Sequence, residues 1–174
     1  GYVFDSSTAT EAFHAGAEKV KTTGGRVAFS LSDPFCVERH IDKFKSLLAG
    51  DVDLVLGNES EAAALYGTSD TQAIADAVLS SGYDAVITRG EKGALIIMEG
   101  AVTEVPAVSV ADIVDLTGAG DQFAAGFLSG LSLGRSAGEC GYMGAIAAAE
   151  VISHIGPRPQ ANMPALFAQA GIDL

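Results

Sequence analysis

Short apolar runs alternate with longer helical segments through the first half of the chain. The runs are rich in β-branched and aromatic residues and cover residues 2–4, 26–31, 54–56 and 85–88. Segments with helical periodicity cover residues 8–23, 36–48, 59–66 and 71–80. Strands that are separated by helices in this way form right-handed βαβ crossovers. The pattern therefore predicts a mostly parallel sheet that is buried on both faces.

The second half of the chain breaks this alternation. Residues 94–98 and 102–105 flank Glu99 and Gly100, a pair that is typical of a two-residue hairpin turn. Three helical segments then follow, at residues 119–131, 136–153 and 164–170. The sequence thus predicts an α/β fold with three α-β-α layers. In this fold, an antiparallel hairpin forms the edge of the mostly parallel sheet.

The composition limits the partners of such a fold. The 174 residues are 48% apolar, which is enough for one compact domain with a core and excludes intrinsic disorder. Lys and Arg number 10 against 22 Asp and Glu, so the net charge is −12. Because nucleic acids and anionic membranes bind clustered cations, we expect neither as a partner. Any bound phosphate must be held by backbone amides, a few local cations or a metal ion.

Cysteine usage and the first residues bear on the cellular setting. Cys36 and Cys140 are far apart and lack metal-ligand spacing, so we expect a reducing, cytoplasmic location. The longest apolar run, residues 143–152, contains Glu150 and is too short to span a bilayer. Residues 1–5 have the pattern of a strand interior and lack an initiator Met, which indicates the later part of a longer protein.

The most informative segment is the glycine-rich stretch 115–126, which passes from a loop into a long apolar helix. Glycines let successive backbone N–H groups converge with the helix dipole on one point, which creates an anion site. Asp121 follows the three amides of Gly118, Ala119 and Gly120. A carboxylate beside a bound phosphoryl group is repelled unless it has a task, such as accepting a proton from an attacking hydroxyl. The alternative is an ordinary glycine-rich helix start that Asp121 caps.

Gly118-x-Gly120-x-x-x-Ala124 also fits a loose dinucleotide-binding fingerprint, with Glu139 as its downstream acid. That fingerprint belongs in the first βα turn, and its acid ends the second strand. Because Glu139 lies inside a helical segment, the pattern argues against a nicotinamide cofactor. The three histidines show no metal-ligand spacing, and no Gly-x-Ser-x-Gly elbow supports a hydrolase.

Two further motifs follow predicted strands. Asn58 and Glu61 open a helix, and their spacing is close to that of a capping box. They also lie at the carboxyl end of a predicted parallel strand, where Asn58 could donate to phosphate and Glu61 could hold Mg²⁺ through water. Thr88, Gly90 and Gly93 fit either an ordinary tight turn or a contact with a nucleotide from the same edge of the sheet.

These motifs resemble those of the ribokinase-like (PfkB) carbohydrate kinases. The stretch 115–128 resembles the family's C-terminal signature, Asp-Thr-x-Gly-Ala-Gly-Asp followed by small and apolar helix residues. Leu116 stands where that signature usually has Thr, and we expect this change to leave the backbone geometry intact.

The other two motifs match the family in the same order. Asn58-x-x-Glu61 and Thr88-x-Gly90-x-x-Gly93 resemble its two further nucleotide-side motifs. The segments 31–35 and 57–62 are most similar to the adenosine kinase branch, and the resemblance extends over most of the chain, from residue 1 to about 167.

The resemblance implies ATP-dependent phosphorylation of a primary, 5′-type hydroxyl on a small nucleoside or sugar. Adenosine, which would yield AMP, is the first expectation, and fructose or ribose is the alternative within the family. A non-catalytic nucleotide-binding fragment is the alternative from another class. The resemblance also implies that residues 1–174 form the C-terminal nucleotide-binding part. The lid and the N-terminal acceptor-binding half would lie outside the chain, and the sheet would be incomplete on its N-terminal side. The family also includes dimers, so the intact protein could form a homodimer.

Residue roles are likewise implied by the resemblance. Asp121 is the general base, and the amides of Gly118, Ala119 and Gly120 form the anion hole. Phosphoryl transfer needs positioning and charge stabilisation more than covalent help, so amides and one base are sufficient for these roles.

On the nucleotide side, the resemblance assigns the phosphates and Mg²⁺ to Asn58 and Glu61, with Glu61 acting through water. It places three residues beside ATP, namely Thr88, Gly90 and Gly93. Members of the family often bind a monovalent cation such as K⁺ through backbone carbonyls, which are those of Asp115 and Thr117 here.

Overall fold

The computed structural model describes residues 1–173, which form two compact units. The first unit comprises Gly1–Ile87 with Ile97–Val102. The second unit comprises residues 88–96 with the described residues from 103 onward. None of the helices in residues 1–173 is long and apolar enough to cross a membrane.

The strands of the described chain form one sheet in sequential order. They are β1 (Ala28–Ser30), β2 (Leu54–Asn58), β3 (Asp84–Thr88), β4 (Ala94–Met98) and β5 (Ala101–Val105). β1 pairs in parallel with β2, with Ala28 opposite Leu54. The links from β3 to β4 and from β4 to β5 are too short for parallel crossovers, so β4 runs against both neighbours. The predicted α/β fold with a mostly parallel sheet and a hairpin edge is confirmed.

Helices connect and follow these strands. Those of residues 1–173 are α1 (Ser7–Thr22), α2 (Pro34–Arg39), α3 (Ile41–Leu48), α4 (Glu59–Tyr66), α5 (Thr71–Leu79), α6 (Ala119–Ser132), α7 (Ala137–Ile152) and α8 (Met163–Gln169). Short 3₁₀ helices occupy Tyr2–Asp5 and Gly90–Lys92. The hairpin turn between β4 and β5 has positive φ at both central residues, 53° at Glu99 and 75° at Gly100, as a type I′ turn requires.

An aromatic cluster forms part of the core of the first unit. Phe4, Phe29 and Phe44 are buried, and the Phe29 and Phe44 ring centroids lie 5.0 Å apart in an edge-to-face arrangement. Residues 2–4 were expected to be a strand, but they belong to the 3₁₀ helix Tyr2–Asp5. Phe4 inserts into the cluster while Tyr2 stays exposed. A three-residue apolar run is too short for its periodicity to distinguish these two structures.

The predicted helix 36–48 is also corrected, because it is two helices, α2 and α3, that meet at His40. The backbone of His40 is not helical, with φ −118° and ψ 22°. Its Nε2 lies 2.7 Å from Asp5 Oδ1, and its ring packs beside those of Phe4 and Phe44, at centroid distances of 6.3 and 6.2 Å. These contacts fix His40 in the core and outweigh the local preference for one continuous helix.

In the second unit, α6 and α7 form the centre of the core. Phe127 of α6 and Met143 of α7 are fully buried. α8 packs against the same core, because Met143 and Ile146 form an apolar cluster with Phe167 and Ile172. This core holds the start of α6 and the end of α7 in place, and the candidate site lies at these two helix ends.

Candidate active site

The first residue of the glycine-rich turn is Gly118, which is the N-cap of α6. Its φ of +83° lies in the left-handed region that favours glycine. A Cβ atom on Gly118 would stand 2.6 Å from the Cβ of Pro157. Both the turn and the approach of Pro157 therefore require glycine at this position.

The amides of this turn are only partly used by the protein. Ala119 donates its amide to the carbonyl of Leu116 at 3.2 Å. The amides of Gly118, Gly120 and Asp121 donate to no acceptor in the described part of the chain. These three amides can therefore bind an anion at the positive end of α6. The amide of Asp121 was not among the predicted donors, although its position in the first turn of the helix is the signal for it.

Asp121 follows these amides in the first turn of α6 and is exposed. Its carboxylate makes no hydrogen bond or ion pair with any residue from 1 to 173. It does not cap the helix, because α6 has no side-chain cap. An unengaged carboxylate beside three unpaired amides can accept a proton from a group bound there.

Asp115 holds the loop that leads into this turn. Its Oδ1 accepts the amide of Thr117 at 2.9 Å, and its Oδ2 accepts the amide of Gly156 at 3.0 Å. These bonds, with that of Gly156 first, hold the pKa of Asp115 below its ordinary value. The backbone carbonyls of Asp115 and Thr117 accept no hydrogen bond in the described chain, so they are available to a cation.

A cavity of about 510 Å³ lies within the second unit. It brings together five of the residues predicted from sequence, namely Thr88, Gly90, Gly93, Ala119 and Gly120. The rest of its wall is largely apolar and includes Val108, Val110, Ile113, Leu116, Phe123 and Ile152. The volume and the apolar wall with few polar groups are typical of a small-molecule site.

Sequence reasoning missed two parts of this wall. In the segment after β5, residues 107–111 and Ile113 line part of the cavity, and the small residues Ala145, Ala148 and Ala149 of α7 line another part. Asp121 and Gly118 do not line the cavity, although they neighbour residues that do.

The turn after β3 is shaped by Gly93. Its φ is +86°, and a Cβ atom there would overlap the carbonyl oxygen of Val105. The carbonyl oxygen of Gly93 also accepts a hydrogen bond from the amide of Arg89 at 2.7 Å. The Arg89 side chain forms a salt bridge with Glu104 at 3.0 Å. These contacts close the turn against β5 and place Thr88 and Gly90 on the cavity wall.

Asn58 and Glu61 lie in the first unit and form a capping box at the start of α4. The amide of Glu61 donates to Asn58 Oδ1 at 2.9 Å, and Glu61 Oε2 accepts the amide of Asn58 at 3.0 Å. Asn58 Nδ2 donates to Glu61 Oε1 at 2.7 Å. Burial raises the pKa of Glu61, and this effect outweighs the opposing hydrogen bond from Asn58. The predicted capping box is confirmed, and the predicted contact with Mg²⁺ stays a prediction.

No group of three or more His, Cys, Asp or Glu side chains that could hold a metal ion occurs among the described residues. Mg²⁺ is commonly bound through one or two carboxylates, water and substrate phosphates, so such a cluster is not needed for a nucleotide-bound magnesium. Glu61 is the carboxylate predicted for this role.

The chain matches the pfkB family of carbohydrate kinases over residues 3–164, and it belongs to that family.

Individual relatives carry several substrate names. The chain is 43% identical over 108 residues to a cytidine kinase of Thermococcus kodakarensis, covering 60% of this chain and 38% of the relative. It is 33% identical over 150 residues to an adenosine kinase of Dictyostelium discoideum, covering 78% of this chain and 44% of the relative. The crystal structure of adenosine kinase from Sinorhizobium meliloti has a TM-score of 0.93 and 38% identity, covering 97% of this chain and 52% of that one. The chain therefore spans about half the length, or less, of the relatives it matches.

Proposed function

We propose that the protein containing this chain transfers a phosphoryl group from MgATP to the primary 5′ hydroxyl of a nucleoside, with adenosine as the acceptor and AMP as the product. The observation that carries this proposal is the shared cavity of the Thr88–Gly93 turn and the start of α6. The nucleoside kinases among the relatives support an acceptor of that class. We infer that residues 1–174 supply the nucleotide-binding part of the whole protein.

The cavity fits the base and the phosphates of ATP in different places. Its apolar wall, which includes Phe123 and Ile113, suits a flat aromatic base, and Thr88 and Gly90 supply polar atoms to the wall. Ala119 and Gly120 bring the cavity to the unpaired amides of the glycine-rich turn. Those amides bind the transferred phosphoryl group and stabilise the charge that develops on it.

Asp121 accepts the proton of the acceptor hydroxyl in this mechanism. The hydroxyl oxygen forms a bond to the γ-phosphorus of ATP, the bond from that phosphorus to the bridging oxygen breaks, and ADP leaves. The exposed carboxylate of Asp121 has no competing hydrogen bond in the described chain, so it is available for this proton. The amides of Gly118, Ala119 and Gly120 form the proposed anion hole, and the amide of Asp121, which donates to no acceptor in the described chain, would join them. Ala119 would have to release Leu116 before it could contribute.

Two cations support the proposed reaction. Mg²⁺ neutralises the phosphates of the nucleotide, and Glu61 would hold it through water while Asn58 contacts the phosphates. K⁺ would bind to the carbonyls of Asp115 and Thr117, which accept no hydrogen bond among residues 1–173.

A screen of acceptors tests the proposal. The full-length protein is assayed for ATP consumption with adenosine, cytidine, ribose and fructose. We expect the highest kcat/KM with adenosine. A higher kcat/KM with ribose or fructose would contradict the nucleoside kinase proposal and indicate a sugar kinase. Binding of MgATP without turnover on any acceptor would favour a non-catalytic nucleotide-binding protein.

A further inference from the structure

Glu150 occupies an unusual position for an acid, in the last turn of α7. The carboxyl end of a helix carries a partial negative charge, which disfavours a carboxylate there. The Glu150 side chain is also only 8% exposed. Neither the proposed mechanism nor the packing of α7 requires a buried acid at this position.

The contacts of Glu150 explain why it is tolerated. Its Oε1 accepts the backbone amides of Gln160 and Ala161, each at 2.8 Å, and lies 3.2 Å from Nε2 of His154. Burial alone raises the pKa of Glu150, but the two backbone donors and His154 outweigh burial and lower its pKa. Its Oε2 is buried and has no partner in the described chain. One carboxylate therefore fastens both ends of the 153–161 loop to α7.

The middle of the 153–161 loop contacts the anion-binding turn. Gly156 donates its amide to Asp115 Oδ2 at 3.0 Å. The carbonyl oxygen of Pro157 accepts a hydrogen bond from Nε2 of Gln122 at 3.0 Å, and the ring of Pro157 lies against Gly118. Asp115 and Gln122 flank the unpaired amides, and Gly118 carries one of them, so the loop contacts the turn directly.

We propose that Glu150 is a positioning residue for phosphoryl transfer, which fixes the 153–161 loop so that Gly156 and Pro157 hold the anion-binding turn in its active shape. This inference rests on the proposed function of that turn. Glu150 has no hydrogen bond to Gly118, Gly120 or Asp121, so it acts through the loop and is not itself a catalytic residue. Its loss should misplace the amides that stabilise the transition state, which lowers kcat more than it changes binding of the nucleotide.

Two variants of Glu150 and one control test this inference in the full-length protein. Glu150→Ala removes the acceptor, whereas Glu150→Gln keeps an oxygen that can accept the amides of Gln160 and Ala161. Glu139→Ala is the control, because Glu139 bonds to Ser136 at the opposite end of the same helix. The readouts are kcat and KM for ATP and for the preferred acceptor, together with hydrogen exchange of the hydrogen-bonded amides of Ala119 and Gln122.

We expect Glu150→Ala to lower kcat on the order of 10²-fold, as misplacement by about 1 Å can do, with little change in KM for ATP. Glu150→Gln should recover most of this loss, and Glu139→Ala should leave kcat near that of the unmodified protein. Exchange at Ala119 and Gln122 should be faster in Glu150→Ala alone. The inference is overturned when Glu150→Ala and Glu139→Ala have the same kcat, or when Glu150→Ala raises KM for ATP and leaves kcat unchanged.

A second variant applies where Glu150→Ala does not fold. Gln122→Met removes the contact with Pro157 at the surface of α6 and keeps a good helix-forming residue. It should also lower kcat without changing KM for ATP and speed exchange at Ala119, and unchanged values of both would overturn the inference.

Failure of the proposed function would be seen separately. Absence of turnover in the unmodified protein contradicts the kinase proposal. Hydrogen exchange then still tests the positioning by Glu150, because faster exchange at Ala119 in Glu150→Ala than in Glu139→Ala supports it and equal exchange overturns it.

Discussion

Gly118 and Pro157 are in such close contact that a Cβ atom on Gly118 would stand 2.6 Å from the Cβ of Pro157. The contact joins the start of α6 to the loop after α7, two segments that are far apart in the sequence. Gly118, with its left-handed backbone, carries the first of the unpaired amides of the anion-binding turn. The shape of this turn therefore depends on a tertiary contact as well as on its own glycines.

Substitution of Gly118 tests this dependence. Gly118→Ala should lower the free energy of unfolding by about 2 kcal/mol or more, because the left-handed backbone and the crowding by Pro157 both oppose a side chain. Gly120→Ala is the matched control in the same turn, since its φ is not positive and a Cβ atom there would meet nothing within 4 Å. Denaturant unfolding of both variants measures the difference. Equal stability of the two would contradict the role given to the contact.

The turn after β3 offers a second matched pair. Gly93→Ala forces a side chain onto the carbonyl of Val105, so we expect a loss of roughly 3 kcal/mol or more and weak binding of ATP. Gly90 also has a positive φ, of +58°, but its surroundings are open, and Gly90→Ala should cost only about 1 kcal/mol. Thermal unfolding and ATP titration check both. A well-folded Gly93→Ala variant with normal ATP affinity would show that this turn does not shape the cavity.

Glu61 should make stability depend on pH in a defined direction. Burial raises its pKa above the ordinary value of 4.5, so its contribution to stability is present at lower pH and is lost as pH rises through the raised value. Glu61→Gln stays neutral and can keep the capping contacts. Its melting temperature should equal or exceed that of the unmodified protein at neutral pH, with a smaller difference in acid.

Comparison of Glu61→Ala with Glu61→Gln separates the effect of the capping hydrogen bonds from that of the charge, because Gln can keep the capping contacts and Ala cannot. Loss of the capping box should lower the free energy of unfolding by about 1 kcal/mol in acid, and by less at neutral pH, where removing the buried charge offsets part of the loss. The two variants share a functional expectation, because each lacks the carboxylate proposed to hold Mg²⁺ through water. Both should need more Mg²⁺ for half-maximal turnover. A Glu61→Gln variant with an unchanged Mg²⁺ requirement would leave Glu61 with the capping role alone.

Local sequence chemistry predicted much of the fold. The pair Glu99 and Gly100 predicted a hairpin turn, and both residues have the positive φ that this turn requires. The spacing of Asn58 and Glu61 predicted a capping box, and the box is present. These features depend on residues that are neighbours in sequence, so the pattern contains the information needed to predict them.

Features that depend on distant contacts could not be predicted in this way. The spacing of the glycines predicted several free amides in one turn, but it could not predict that the amide of Ala119 donates a hydrogen bond to the carbonyl of Leu116. The break between α2 and α3 at His40 depends on its contact with Asp5. The proposed positioning role of Glu150 depends on its hydrogen bonds to the amides of Gln160 and Ala161. No local periodicity records which of these distant groups meet in the folded chain.

The central claim is that Asp121 accepts the proton of the acceptor hydroxyl, and Asp121→Asn in the full-length protein tests it most directly. Asp112→Asn is the control, because Asp112 is an exposed acid in the loop that leads to the same turn. We predict that Asp121→Asn lowers kcat on the order of 10²- to 10⁴-fold, as loss of a general base does, and that ATP affinity and the Asp112→Asn variant stay unchanged. Turnover by Asp121→Asn within about tenfold of the unmodified protein, with ATP binding intact, would contradict the account.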